Sequence, residues 1–212
     1  MRSLSCVLVR EGISDDWYLP ILLRRALEVM VVERFPGCRE VQEVRSLPEA
    51  GNQHPDPVLK SLEQERGTFD VVLFHHDGAP AAKSDEVIGR MRKTWEDSTF
   101  TEPLVAVVPV RETEAWLLAD YGALVKVLGR QRLAARLVSG PAVESCRDPK
   151  AVLEGLLKDE AGMNPGRRGV LRGFFVSVAE TADISEMRKV PAFRQWWNDM
   201  IEALEGLGYQ HG

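Results

Sequence analysis

The sequence predicts an α/β protein with a doubly wound, mainly parallel sheet, and two observations support this prediction. The apolar runs in the first half of the chain, such as Val71 to Phe74, are continuous and do not alternate with polar residues, as expected for strands that are covered on both faces. Segments with helical spacing separate these runs, and right-handed crossovers then place helices on both faces of one sheet. A ligand site is expected beyond the carboxyl ends of the strands.

Four strands are predicted in the first half, with helices between them. The first helix should begin near Asp16 or Trp17, because Pro20 fits only near a first turn. Asp56 and Ser84 are the predicted N-caps of the next two helices, and "ETEAWLLADYGALVKVL" is predicted to form one further helix. The predicted strands are residues 4–9, "CREVQEVRSL", "FDVVLFH" and residues 102–110.

The second half of the chain is predicted to be helical and to pack on the sheet. Asp148 and Pro149 form an N-terminal helix signal, and the segment "GMNPGRRGVLRGFF" is predicted as a loop because it is rich in glycine and arginine. We therefore divide the chain into an α/β domain at residues 1–128 and a helical extension at residues 129–212. The predicted helices are "RQRLAARLVSG", "DPKAVLEGLLKDE" and "VPAFRQWWNDMIEALEGLG".

Composition restricts the classes of function. The 212 residues carry a formal net charge of −5, so nucleic-acid binding would have to be local or helped by a metal or a partner. No apolar run approaches the roughly 20 residues of a membrane helix. Cys6, Cys38 and Cys146 are widely spaced, unlike zinc ligands. We expect reduced thiols, a cytoplasmic location and no association with a membrane.

Three strand ends carry polar side chains. Taken singly, the acids fit first helical turns and the glycines fit tight turns. Taken together, they would bring several carboxylates to one edge of the sheet, where like charges repel. A divalent cation with a preference for oxygen ligands, Mg²⁺ or Mn²⁺, would remove that cost. The residues are Glu11, Gly12, Asp15 and Asp16 after the first strand, His75, Asp77 and Gly78 after the third, and Arg111, Glu112 and Glu114 after the fourth.

At these residues the sequence resembles the Toprim fold of topoisomerases, primases and overcoming-lysogenization-defect nucleases. "VREGISDD" is similar to the Glu-Gly opening of that fold, with Glu11, Gly12 and Asp15 at the matching positions. "RETEAWLLAD", "DPKAVLEGLL" and "VPAFRQWWNDMIEAL" resemble an uncharacterised bacterial Toprim-like family that is often encoded beside an ATPase. The resemblance implies a Toprim-like sheet and a role in phage defence or DNA processing.

One position departs from the Toprim pattern. Where the third strand of that fold ends in Asp-x-Asp, this chain has His75, His76 and Asp77. His75 could bind a transition metal such as manganese, cap the strand, or contact phosphate when protonated. His76 points to the opposite side of the strand and is interpreted as structural.

The resemblance implies a metal-dependent nuclease that hydrolyses phosphodiesters of DNA or RNA, with DNA favoured. Glu11 and Asp77 would hold the metal, with Asp15 and His75 as further candidate ligands. Glu114, or else Glu112, would be a further ligand or the base. Gly12, Gly78 and Arg111 are candidate phosphate contacts, as are the arginines of "NPGRRGVLRG", which could equally form a solvated loop.

Two other functions stay open at this point. The chain could be a non-catalytic partner or regulator of an ATPase, and in either case it could form a homodimer. A receiver-like or phosphatase-like domain fits less well, because those chemistries need an acidic pair after the first strand and a lysine at a late strand end.

Overall fold

The computed structural model describes residues 2–47, 53–133 and 137–210, and it confirms the α/β, doubly wound prediction. All strand pairs between the described elements are parallel. The order β4-β2-β5-β6 forms the main sheet, and β1 pairs with β3 beside it. The strands are β1 (Arg2–Leu4), β2 (Cys6–Val9), β3 (Cys38–Val41), β4 (Arg45–Ser46), β5 (Val71–His75) and β6 (Leu104–Val107).

The order of the strands places a switch point between β2 and β5. After β2 the chain passes through helix α1 (Leu19–Arg34) to β4 on one side of β2. It then passes through helix α2 (Pro55–Gln64) to β5 on the other side of β2. Because the two connections leave in opposite directions, the loops after β2 and β5 separate and leave a crevice at the carboxyl ends of these strands.

Helices cover both faces of the sheet, which explains the continuous apolar strands. Successive residues of a strand point to opposite faces. Leu73 therefore packs with the apolar face of α1 in one core cluster. Its neighbours Val72 and Phe74 belong to the other cluster, together with α2 and with helix α3 (Ala81–Glu96). Neither face of β5 is available to solvent, so an alternating polar pattern would be unfavourable.

The helices that follow the sheet share the core cluster of α1. Trp116 meets Phe193 edge to face, with the ring centroids 5.1 Å apart, and Arg25 on α1 donates hydrogen bonds to the carbonyl oxygens of Ala179 and Ala182. The division of the chain at residue 128 stays a prediction. These helices are α4 (Thr113–Leu117), α5 (Tyr121–Val127), α6 (Pro149–Ala161), α7 (Arg168–Thr181), α8 (Ile184–Met187) and α9 (Pro191–Gly206).

Two predicted N-caps are wrong. Helix α2 begins at Pro55 after His54, so Asp56 lies inside its first turn. Helix α3 begins at Ala81, and Ser84 is buried on its core face with 2% of its surface exposed. In both cases proline sets an extended or first-turn backbone, which starts the helix earlier than the polar residue suggested.

The helix predicted after the fourth strand is interrupted. Helix α4 ends at Leu117. Asp120 caps α5, since its side chain accepts a hydrogen bond from the Ala123 amide at 3.1 Å. The same carboxylate accepts a second hydrogen bond from the amide of Asp183 at 2.7 Å. A side chain that satisfies two backbone amides stabilises the break, and the second of these contacts is visible only in the tertiary structure.

Two predictions in the second half also differ from the structure. The predicted loop "GMNPGRRGVLRGFF" contains the first half of α7, because Phe174, Phe175 and Val178 bury an apolar face that outweighs the low helix propensity of the glycines. Of the predicted helix "RQRLAARLVSG", residues 134–136 lie outside the described residues, residues 130–133 and 137–139 are not helical, and Gly140 begins a 3-10 helix that ends at Ser145. Across the described ranges, no helix combines the length and the apolar character needed to cross a membrane.

Candidate functional site

Three loops meet at the crevice beyond the carboxyl ends of β2, β5 and β6. The loop after β2 carries Glu11 and leads through a 3-10 turn at Asp15–Trp17 into α1. The loop after β5 carries Asp77. The loop after β6 leads to Thr113, the first residue of α4. The structure thus brings the predicted residues of all three strand ends to the same edge of the sheet.

Glu11 and Asp77 lie side by side at the mouth of the crevice. Oε2 of Glu11 accepts a hydrogen bond from the backbone amide of Asp77 at 2.8 Å, and Oδ1 of Asp77 accepts one from the amide of Thr113 at 3.2 Å. Oε1 of Glu11 and Oδ2 of Asp77 take part in no hydrogen bond or ion pair with the described residues. Each carboxylate is therefore anchored by one oxygen and has the other available for a ligand.

Asp15 and His75 form a buried pair behind these two carboxylates. His75 is fully buried, and 6% of the surface of Asp15 is exposed. Nε2 of His75 lies 3.4 Å from Oδ2 of Asp15 and 3.7 Å from Oδ1 of Asp77, and Nδ1 lies 2.9 Å from the carbonyl oxygen of Val107. Both ring nitrogens of His75 therefore face protein atoms, and the imidazole supports the acids from beneath.

The geometry of this pair is consistent with a protonated His75 and an ionised Asp15. Burial lowers the pKa of His75, but the hydrogen bond and the charge of Asp15 outweigh it, and the net direction is upward. Burial raises the pKa of Asp15, but the hydrogen bond and the charge of His75 outweigh it, and the net direction is downward. Each group thus favours the charged form of the other, as expected for a buried ion pair with satisfied hydrogen bonds.

Thr113 joins the buried pair to Asp77, and no sequence pattern singled it out. Its hydroxyl donates to Oδ1 of Asp15 at 3.0 Å and lies 3.2 Å from Nε2 of His75. Its backbone amide donates to Oδ1 of Asp77. A threonine at the start of a helix after a strand is a weak signal by itself, because capping alone explains the residue type.

Gln53 and His76 form a second buried layer under Glu11. Nδ1 of His76 lies 2.9 Å from Oε2 of Glu11 and 2.7 Å from Oε1 of Gln53. The amide nitrogen of Gln53 donates to the carbonyl oxygen of His75. His76 therefore contacts Glu11 directly and is part of the site's support, and its interpretation as structural stays a prediction. Gln53 was not singled out, since its contacts are more than 20 residues away in the chain.

Asp77 has the most perturbed carboxylate of the site. Burial raises the pKa of Asp77 to about 7, and the charges of Glu11, Asp15 and Glu114 raise it while the charge of His75 lowers it. Such a shift arises where a carboxyl group is withdrawn from water, and nearby carboxylates add to it. It is frequent at functional sites, although structural networks produce it as well.

The other predicted residues of the third loop are less directly connected to the pair at the mouth. Glu114 is largely buried in the first turn of α4, and burial raises its pKa. Oε2 of Glu112 is buried and has no hydrogen-bond partner among the described residues. Within the described ranges, neither side chain shares a hydrogen bond with Glu11 or Asp77. The structure therefore places both acids near the crevice but does not distinguish the predicted roles.

Arg111 has a strained backbone next to the site. Its φ of 80° lies in the left-handed region, which costs a non-glycine residue free energy and often marks functional loops. Its carbonyl oxygen accepts a hydrogen bond from the amide of Ala79 at 3.3 Å. The Nε atom is buried without a hydrogen-bond partner in the described part of the chain, and a contact of Arg111 with phosphate stays a prediction.

The two predicted glycines have local structural explanations. A Cβ atom on Gly78 would lie 2.4 Å from the carbonyl oxygen of Pro109, so only glycine allows the loops after β5 and β6 to approach this closely. The amide of Gly12 donates to Oδ2 of Asp15 at 2.7 Å. Since that amide is already occupied, the turn at Gly12 positions Asp15, and a phosphate contact by Gly12 stays a prediction.

The donor atoms of the crevice fit a small oxygen-ligated cation only partly. Among the residues that the structure describes, no group of three or more His, Cys, Asp or Glu side chains is arranged to hold a metal ion. Magnesium is commonly held by one or two carboxylates, with water and substrate phosphates completing its shell. Glu11 and Asp77 provide such a pair, whereas Asp15 and His75 are engaged with each other.

These features define an α/β protein with an acidic crevice at the switch point of a parallel sheet. The chain belongs to the domain of unknown function family DUF4276, whose model matches residues 10–201. Neither a curated protein nor a solved structure matches the chain. Because the function of the family is unknown, the Toprim resemblance stays a prediction.

Proposed function

We propose that the protein is a metal-dependent phosphodiesterase that cleaves nucleic acid. The observation that supports this proposal best is the placement of Glu11 and Asp77 at the switch point, each with one anchored and one open carboxylate oxygen. Burial first, and then the neighbouring carboxylates, raise the pKa of Asp77 to about 7, and a bound cation would favour its charged form. DNA is the substrate that we favour, and RNA is the other candidate.

The connected residues of the crevice would divide into metal ligands and positioning residues. Glu11 and Asp77 would hold Mg²⁺ or Mn²⁺. When bound, the ion would supply Lewis-acid stabilisation of a phosphoryl oxygen and a water molecule of lowered pKa. Asp15 and His75 would act as positioning residues, because their ion pair holds Thr113, whose amide fixes Asp77.

Arginines from two parts of the chain are available for the phosphate. The backbone of Arg111 lies against the loop after β5, and its buried Nε atom has no hydrogen-bond partner among the described residues. Arg168, in the first turn of α7, lies over the ring of Trp17 with its Cζ atom 5.6 Å from the ring centroid, and Trp17 ends the turn that contains Asp15. A guanidinium matches phosphate oxygens geometrically, so the motif that carries Arg168 remains a candidate contact.

Calorimetric titration with Mn²⁺ and Mg²⁺, combined with a cleavage assay on single- and double-stranded DNA and RNA, tests the proposal. We expect the wild-type protein to bind at least one of the ions and to cleave only in its presence. Asp77→Asn should lose both properties while it keeps the fold, because asparagine still accepts from the Thr113 amide. Asp159→Asn changes an exposed aspartate of α6 and serves as the matched control. Full metal-dependent cleavage by Asp77→Asn would refute the assignment.

A second candidate function is a non-catalytic module that regulates an ATPase, for example in phage defence. It is favoured by the closed Asp15–His75 pair, which leaves two carboxylates where the Toprim pattern has more. Absence of any metal binding by the wild-type protein, together with stable copurification with an ATPase encoded beside it, would favour this module. Light scattering of the same preparations would measure whether the chain forms a homodimer.

A further inference from the structure

A cavity opens directly beside Glu11, on the face of the sheet that α2 and α3 cover. Its volume is about 410 Å³, and its lining comes from the loop after β2, the start of α2, the end of β5 and one face of α3. This volume falls in the usual range for small-molecule sites. The residues that line it include Glu11, Gln53, His76, Lys83, Val87 and Arg90.

The inner wall of this cavity is continuous with the candidate metal site. Glu11 and His76 belong to both, and Nδ1 of His76 is held between Glu11 and Gln53 at 2.9 and 2.7 Å. Gln53 is buried and is held in turn by its hydrogen bond to the carbonyl oxygen of His75. A ligand in the cavity would therefore meet a preorganised polar wall that ends at the Glu11 carboxylate.

The outer wall of the cavity is one face of α3, next to the row of buried residues on that helix. Ser84, Ile88, Met91 and Trp95 form that row, and Lys83, Val87 and Arg90 follow one another along the adjacent face at helical spacing. Arg90 pairs with Glu86. Among the described residues, Lys83 has no ion-pair partner. The wall thus combines an uncompensated cation, a second cation and an apolar patch of Val87 and Pro55.

We propose that this cavity receives one nucleotide of the substrate, on one side of the phosphodiester that is held at Glu11 and Asp77. Lys83 and Arg90 fit the flanking phosphate by charge, Val87 and Pro55 fit the flat apolar surface of a base or sugar, and Gln53 and the imidazoles offer hydrogen bonds. The inference rests on the proposed function, because it assigns a substrate unit to the same crevice. It gives the acidic protein a local cationic surface for a phosphate-bearing ligand.

Equilibrium binding of nucleoside 5′-monophosphates in a buffer with EDTA tests the cavity separately from the metal chemistry. We expect the common ribo- or deoxyribonucleoside 5′-monophosphates to bind the wild-type protein, and to bind Lys83→Ala and Arg90→Ala about tenfold to a hundredfold more weakly, as for a lost charge-assisted hydrogen bond. Lys93→Ala and Arg92→Ala remove the same charges from exposed positions of the same helix outside the cavity and should bind as the wild-type protein does.

Two further variants separate the cavity from the metal site. One fills the cavity with a larger side chain, and the other removes a proposed metal ligand. Val87→Phe should block nucleotide binding, with circular dichroism and thermal unfolding as the check on its fold. Asp77→Asn should keep nucleotide binding, because Asp77 does not line the cavity. Nucleotide binding that depends on Lys83 would support the inference even if no metal binding or cleavage were found, in which case only the proposed function would fail.

Three outcomes would overturn the inference while leaving the proposed function intact. The first is metal-dependent cleavage by a wild-type protein that binds no nucleoside monophosphate. The second is equal weakening of nucleotide binding by Lys83→Ala and Lys93→Ala. The third is binding of inorganic phosphate as tight as that of the nucleotides, since a nucleotide-sized site must gain affinity from the nucleoside.

Discussion

Replacing Asp77 with asparagine should stabilise the metal-free protein at neutral and higher pH and change its stability little in acid. In the folded chain, burial first and the carboxylates of Glu11 and Asp15 next raise the pKa of Asp77 from an ordinary value of 3.8 to about 7. Between these two values the folded state binds more protons than the unfolded state. Wild-type stability from this group is therefore fully present below the lower value and is lost as the pH rises through about 7.

The size of the effect follows from the same interval. A separation of about three pH units corresponds to about 4 kcal/mol at 1.36 kcal/mol per unit. Because 33% of the Asp77 side chain is exposed, solvent screens part of this penalty, and we expect a gain of about 2 kcal/mol for Asp77→Asn above pH 7. Asparagine keeps the acceptor for the Thr113 amide, so the substitution removes charge without removing that hydrogen bond.

Urea unfolding of wild type, Asp77→Asn and the control Asp159→Asn, in EDTA at about pH 4 and about pH 8, measures this prediction. The gain should appear only at the higher pH and only for Asp77→Asn. Saturating Mn²⁺ should then stabilise the wild-type protein and not the variant, by ligand linkage. Equal effects of Asp77→Asn at both pH values, or a loss of stability at the higher pH, would refute the electrostatic account of the crevice.

Unfolding measurements on other variants test the geometry of the crevice and of the elements around it. Thr113→Val should lower the free energy of unfolding by about 1–3 kcal/mol, because it leaves buried polar groups unsatisfied, and Thr113→Ser should lower it less. Equal losses would show that the hydroxyl does not contribute to stability. Gly78→Ala should cost about 1–3 kcal/mol through its clash with Pro109, whereas Gly89→Ala, with open space around it, should stabilise α3 by about 0.5–1 kcal/mol. Arg111→Gly should relieve backbone strain and raise stability by up to about 1 kcal/mol while it lowers cleavage, and a less stable variant would contradict this.

The sequence predicted the α/β class because its signals are local and repeated. Burial of a sheet on both faces requires continuous apolar strands and helices with one apolar face. Both patterns can be recognised from a few consecutive residues. The positions of Glu11, Asp15, His75 and Asp77 at one edge also followed, since the carboxyl ends of parallel strands share an edge. The start of α7 was wrongly predicted as a loop because of its glycines and arginines. Helix formation there depends on the packing of Phe174 and Phe175.

What only the tertiary structure decided is which of these polar groups face one another. The pairing of His75 with Asp15, the bridge through Thr113, and the Gln53–His76 layer under Glu11 join residues that lie far apart in the chain. No local pattern encodes such contacts, because a buried polar group needs a partner from wherever the fold brings one. Residue types at strand ends therefore located the candidate site. The distances and the burial in the folded chain show that Glu11 and Asp77 each keep one free carboxylate oxygen at the mouth of the site. Asp15 and His75 are buried beneath them and pair with each other.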